Sequence, residues 1–374
     1  MACMSSSLIV RTRRSVKKPV AFFVLYDFYW WLIDKVLLYL QTIINISQTI
    51  LVFFIAMRRF SVIMLVIAAV ISSCGQSPEK EVKLFDCDYV TTPEDSVLVT
   101  EIIGSLRNEI AAKDSAVTMP ELMVSAGRSL LGKEYVAGTL DGGDKEILTI
   151  YINKTDCILF VEACTNLARA AVNPSIPEND FLSYAANVRQ TRYRDGKTER
   201  YSDRVHYTTE WLRQAQANGI LEIKTKEFGG EVYDHPIGFM TQNSAYYRQL
   251  AEADSEPNAG KDLAIIKKVE STLNETPQYY IKDVDIKKAE PFIQTGDIIG
   301  YMSATPGLDI AHVAMAYVTD PDGNVVYGPH DENATVGFMH ASMAEMQVVI
   351  DRQTIADYAT NRKSITGICV ARVK

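Results

Sequence analysis

The sequence predicts an α+β domain in which one buried helix packs on an antiparallel β-sheet. Two observations carry this. Residues 155–171 are apolar on nearly every side, as a helix inside a domain must be. From Gly296 onward the pattern changes to short β-type runs, separated by turn residues. At 374 residues, 47% hydrophobic and 22% charged, the chain can build a sizeable core.

The N-terminal quarter reads differently. Met57–Arg58–Arg59 precede an apolar run over 61–71, then Ser72, Ser73 and Cys74. A basic start, a short apolar run and small residues before a cysteine make a bacterial lipoprotein signal over 57–74, with Cys74 the lipidated residue. A short anchor retained uncut is the alternative. Residues 1–56 hold a second hydrophobic segment and are either an upstream reading frame or an extra membrane helix. Residues 75–95 are polar at their start and read as a tether, leaving 96–374 as the folded domain. These features place the protein in the cell envelope, facing the periplasm, with a lipid anchor in the outer membrane as the membrane contact.

Within the domain, Leu98, Ile102, Leu106 and Ile110 recur every fourth residue and predict a helix over 96–112. A second helix starts at Pro120 and stops at Gly132. Thr208 is placed to cap a helix running to Asn218–Gly219, and residues 220–225 alternate like a strand. Strands are predicted over 297–302, 310–318, 324–327, 347–350 and 366–373. The turn at 320–323 implies a hairpin, and 321–335 reads as an inserted loop.

A net charge of −8 with no basic stripe argues against nucleic acid as a partner. Six cysteines are too few for a disulfide scaffold, although one bridge through Cys87 or Cys369 is open. No histidine pair has helical i, i+4 spacing and no Cys-x-x-Cys is present, so neither a metal nor another cofactor is expected.

Cys157 stands at the start of the core helix, where unpaired backbone N–H groups and the helix dipole favour a thiolate and can hold an oxyanion. The other reading is a small buried hydrophobe. Cys164, two turns on, reads as packing, and Cys87 lies between carboxylates that disfavour a thiolate. Among five histidines, His312 is the strongest base, on an apolar strand whose neighbours Ala314 and Ala316 leave room for another element. A helix-start cysteine followed far downstream by a strand histidine is the papain arrangement. A third residue must orient the imidazole; His340 fits, and His330 reads as a loop residue.

Together Asp156–Cys157, Gly296–Asp297, His312–Val313 and His340–Ala341–Ser342 resemble the NlpC-type superfamily of papain-like bacterial cell-wall hydrolases, in the order that superfamily uses. Residues 204–211, 279–282, 307–312 and 366–368 are similar to its amidase-like branch, and the resemblance runs from about residue 120 to the C-terminus. The resemblance implies a papain-like fold and N-acetylmuramoyl-L-alanine amidase activity on peptidoglycan or muropeptides. Cys157 would be nucleophile, His312 base and His340 the orienting residue. It leaves open a D-Glu–diamino acid endopeptidase and a catalytically silent cell-wall-binding lipoprotein. Asp156 is either a helix cap or a contact to a substrate amine. Arg204 and His206 either meet a sugar or peptide carboxylate or form a structural cluster around Tyr207 and Trp211. Asp297 is expected to hold a turn through backbone N–H groups.

Overall fold

A computed structural model describes residues 85–113, 115–141, 145–251 and 259–374. The signal segment 57–74, Cys74 and residues 1–56 lie outside the described residues. In chain order the strands are β1 Tyr89–Val90, β2 Glu134–Tyr135, β3 Leu148–Thr149, β4 Lys154–Thr155, β5 Leu221–Ile223, β6 Glu231–Val232, β7 Tyr279–Lys282, β8 Ile298–Ser303, β9 Ile310–Thr319, β10 Thr335–Ser342, β11 Gln347–Ile350 and β12 Ile365–Val373. The longer helices are α1 Pro93–Ala112, α2 Met119–Ser129, α3 Cys157–Val172, α4 Asp180–Arg192, α5 Thr208–Ala217, α6 Ala259–Glu275 and α7 Ile355–Thr360.

The α+β class is as expected, but the sheet is mixed. Ten strands follow the order β4-β2-β11-β10-β9-β8-β12-β7-β6, with β5 beside β12. Pairing is antiparallel throughout except between β2 and β4, which run parallel. Alternation along β9 divides two cores. Val313, Met315 and Tyr317 join the layer that includes Phe160 and Leu167 of α3, whereas Ala314, Ala316 and Val318 join the one with Ile355, Ala356 and Ala359 of α7.

Helix α3 is apolar all round because it touches neighbours on every side: α1, α2 and α4, and the sheet at β9 and β10. Gly127 of α2 lies close under the sheet: a Cβ there would stand 2.6 Å from the Met339 sulfur, which would have to shift. Helix α2 opens with a capping box, Thr118 Oγ1 accepting the Glu121 amide while the Glu121 carboxylate accepts the Thr118 amide at 2.7 Å. Order also begins ahead of residue 96: Phe85 and Cys87 are buried and β1 pairs with β3.

Two local expectations are overturned. Thr208 does not cap α5; the N-cap is Tyr207, and the buried carboxylate of Asp309 accepts the Thr209 amide at 2.7 Å. A residue distant in sequence supplies what the local pattern assigned to a neighbour. Residues 324–327 form no strand beyond a single bridge, Val325 to Thr319, because β9 takes β10 as its antiparallel partner across the 320–334 loop. Asp297 does hold its turn, accepting the Gln294 amide at 2.8 Å, and also binds Arg372 through both carboxylate oxygens. The four described cysteines are all free thiols.

Candidate active site

Parallel strand β4 leads directly into α3, so Cys157 emerges at the first helical position with Asp156 as N-cap. The Asp156 carboxylate accepts the Leu159 amide at 3.0 Å, which is the capping role. Burial, then the charge of Asp156, push the Cys157 thiol up to about 12. The main-chain N–H groups of Val313, Ile158 and Cys157 itself act in the opposite sense, as donors suited to negative charge on sulfur. Val313 adjoins His312, so β9 reaches the nucleophile through its backbone.

Three side chains from β9, β10 and the end of β11 form a chain of contacts. His312 Nε2 is 2.6 Å from His340 Nδ1, and His340 Nε2 is 3.2 Å from Asp351 Oδ2. That second contact is an ion-pair distance without hydrogen-bond geometry, but the Asp351 charge favours the proton on His340 Nε2, which leaves Nδ1 bare. His312 therefore donates from Nε2, and its Nδ1 is left as the basic atom. Burial, then His340 and Arg362, hold His312 down to about 3; burial holds His340 down to about 4 against the pull of Asp351. The resting centre is a neutral thiol and two neutral imidazoles.

Cys157 and His312 line one cleft of about 650 Å³, together with Tyr135, Asp351, Tyr358 and Arg362. The ring of Tyr358 faces that of His312, with centres 5.7 Å apart and planes inclined at 30°. The Tyr358 ring thus packs beside the imidazole that the His340 hydrogen bond orients.

The remaining sequence candidates are elsewhere. Arg204 is buried, with Nη2 2.6 Å from Asp141 Oδ1 and Nε 3.4 Å from Glu146 Oε1. His206 Nε2 stands 2.9 Å from the Tyr201 carbonyl, and its ring packs 4.3 Å from the Tyr201 ring. Burial and Arg204 hold His206 well below its usual value. Neither lines the cleft, and their partners are Asp141, Glu146 and Tyr201, not Tyr207 and Trp211. Cys164 is fully buried in α3, and His330 sits on a loop with Nε2 2.9 Å from the Ile293 carbonyl. Asp351, Tyr358, Arg362 and Tyr135 were not singled out by sequence. The available signal for Asp351 is a carboxylate directly after the strand predicted over 347–350, the strand that pairs with β10.

The family described as AmiA-like, N-acetylmuramoyl-L-alanine amidase-like, matches residues 125–368. Two crystal structures of an N-acetylmuramoyl-L-alanine amidase from Bacteroides uniformis ATCC 8492 are similar at 29% and 30% identity, each with TM-score 0.57 and covering 68% of this chain and 99% of that one. A Bacteroides fragilis protein, provisionally named a xylanase, is similar at 30% identity and TM-score 0.55, covering 67% of this chain and 100% of its own. No curated protein matches.

Proposed function

Because the chain belongs to the AmiA-like, N-acetylmuramoyl-L-alanine amidase-like family, we propose that it is a papain-like cysteine amidase that hydrolyses the bond between the muramic acid lactyl group and the first L-alanine of the stem peptide. The observation that carries this reading is the 2.6 Å contact of His312 with His340, which leaves His312 Nδ1 basic in the cleft that Cys157 lines.

With the thiol at about 12 and the imidazole at about 3, a separated ion pair is disfavoured before substrate arrives. The Sγ–H proton passes to His312 Nδ1 as sulfur bonds to the lactyl carbonyl carbon, so charge develops only when the oxyanion does. N–H groups at the start of α3, including that of Cys157, receive that oxyanion. Protonated His312 then gives its proton to the alanine nitrogen as the C–N bond breaks, leaving a thioester and a free stem peptide. Water, deprotonated by His312, hydrolyses the thioester to the lactyl acid and restores the thiol.

A glycosidase would need two carboxyl groups flanking the bond. In this cleft Asp351 is committed to His340 and to the Gln353 amide at 2.8 Å, and Glu345 is exposed. Amide chemistry on Cys157 is the better fit. We also propose attachment through Cys74, which rests on the 57–74 segment alone and is tested by the mass of the native N-terminal peptide.

Mass spectrometry of purified muropeptides treated with parent and Cys157→Ala protein tests the reaction. Free stem peptide beginning at alanine is expected from the parent and not from the variant. Equal release by both would sink the cysteine mechanism, and fragments cut inside the stem would replace the amidase with an endopeptidase.

A further inference from the structure

One cation in the cleft has no assigned purpose. The Arg362 guanidinium carbon lies 3.5 Å from the centre of the Tyr358 ring, and Nη1 donates to the Tyr358 carbonyl at 3.0 Å. Among the described residues its only other bond is a long one, 3.4 Å from Nη1 to Gln353 Oε1. Among the described residues no carboxylate is within ion-pair distance of it. The plane is therefore clamped while Nε and Nη2 remain available, which is how a planar fork is prepared for a carboxylate.

The position of Arg362 says which end of a substrate it meets. Arg362 stacks on Tyr358, and Tyr358 stacks on His312, so the three planes form one column on the His312 side of the cleft. The acid that protonates a leaving nitrogen must stand beside it. Groups packed behind His312 accordingly flank the leaving group, which in the reading above is the stem peptide. The second stem residue is a glutamate joined through its side chain, so it keeps a free α-carboxylate one residue beyond the leaving nitrogen. One extended residue spans about 3.5 Å, which keeps that carboxylate within the length of the column.

We propose that Arg362 is the residue that recognises the free α-carboxylate of the second stem residue, selecting acidic stems over amidated ones. This rests on the amidase reading. Arg352, the other arginine of the cleft, is exposed and stacks on no ring of the column, so it lacks this placement.

The test compares a muropeptide whose second residue carries the free acid with one carrying the primary amide, for the parent, Arg362→Gln and Arg362→Lys proteins. The parent should favour the acid by about 10- to 100-fold in kcat/KM, the range of a charge-assisted hydrogen bond. Arg362→Gln should lose that preference by slowing on the acid alone, and Arg362→Lys should retain part of it. Unchanged thermal midpoints exclude misfolding, and a variant that unfolds is replaced by Arg362→Met, which keeps the stack. A parent indifferent to amidation, or Arg362→Gln as selective as the parent, overturns the proposal. Binding of the free stem tripeptide and its amide to Cys157→Ala protein separates the two readings. A preference for the acid there, abolished by adding Arg362→Gln, upholds the contact whichever bond is cut; equal binding refutes it.

Discussion

Asp351 Oδ2 stands 3.2 Å from His340 Nε2 at the point where β11 ends, while its Oδ1 accepts the Gln353 amide at 2.8 Å. The two oxygens have different partners, so the carboxylate cannot rotate without losing one of them. That asymmetry favours a proton on Nε2 of both histidines.

Replacing Asp351 by Asn should be worse than replacing it by Ala. The Gln353 N–H needs an acceptor, which turns the Asn amide N–H₂ toward His340 and forces a proton onto Nδ1. His312 then protonates on Nδ1 and cannot accept from Cys157. A fall in kcat of about 100-fold with KM within about twofold is expected for Asp351→Asn, and a milder fall for Asp351→Ala, which leaves His340 free to choose its tautomer. Steady-state kinetics of the two variants decides it; Ala at or below Asn would refute the tautomer assignment.

Asp156→Asn separates two effects of one side chain. Asn caps a helix as well as Asp does, so thermal stability should hold. The negative charge that pushes the Cys157 thiol up is removed, so iodoacetamide at pH 8 should alkylate Cys157 several-fold faster than in the parent. An unchanged or slower rate would mean that the Asp156 charge does not reach the sulfur.

Stability should fall as the solution is acidified below the usual histidine range. Buried His312 and His340 are held down to about 3 and about 4 from 6.5, so between these values the unfolded chain takes up protons that the folded chain refuses. The contribution is complete above about pH 6.5 and is lost as pH falls toward 4. Thermal midpoints of the parent against His312→Gln and His340→Gln across pH 4–7 measure it, and the variants should show a flatter profile.

Arg192 and Glu162 form a buried pair, with Nη2 2.5 Å and Nε 3.0 Å from the same Glu162 oxygen. Arg192→Met strands the carboxylate in the interior and should cost about 3–5 kcal/mol in denaturant unfolding. Adding Glu162→Leu should recover most of that loss, whereas an uncompensated double variant would point to the Arg192 bond to the Thr149 carbonyl as the main contribution.

What the sequence revealed followed from local pattern. Residues 155–171 are apolar all round because α3 is surrounded, and the terminal strands read as near-continuous apolar runs because β9 and its neighbours face two cores. Cys157, His312 and His340 were found because each is an unusual residue in such a pattern. Asp351, Tyr358 and Arg362 look like ordinary loop and helix residues. Their role arises from pairing of His340 with Val349, which brings Asp351 level with the imidazole, and from the short helix α7 crossing the far face of the sheet. Arg204 and His206 were ambiguous for the converse reason: charged residues before a helix look alike whether they face a ligand or, as here, Glu146 and Tyr201.

The division of β9 between two cores has a mechanical implication. Cys157 starts α3 in one layer, whereas the rings of His312 on β9 and His340 on β10 pack against Tyr358 of α7 in the other. The sulfur-to-imidazole gap is thus a ruler for how the layers sit on each other. Small slips that leave each layer folded would open the gap, so on gentle heating turnover should disappear while circular dichroism still reports an intact molecule.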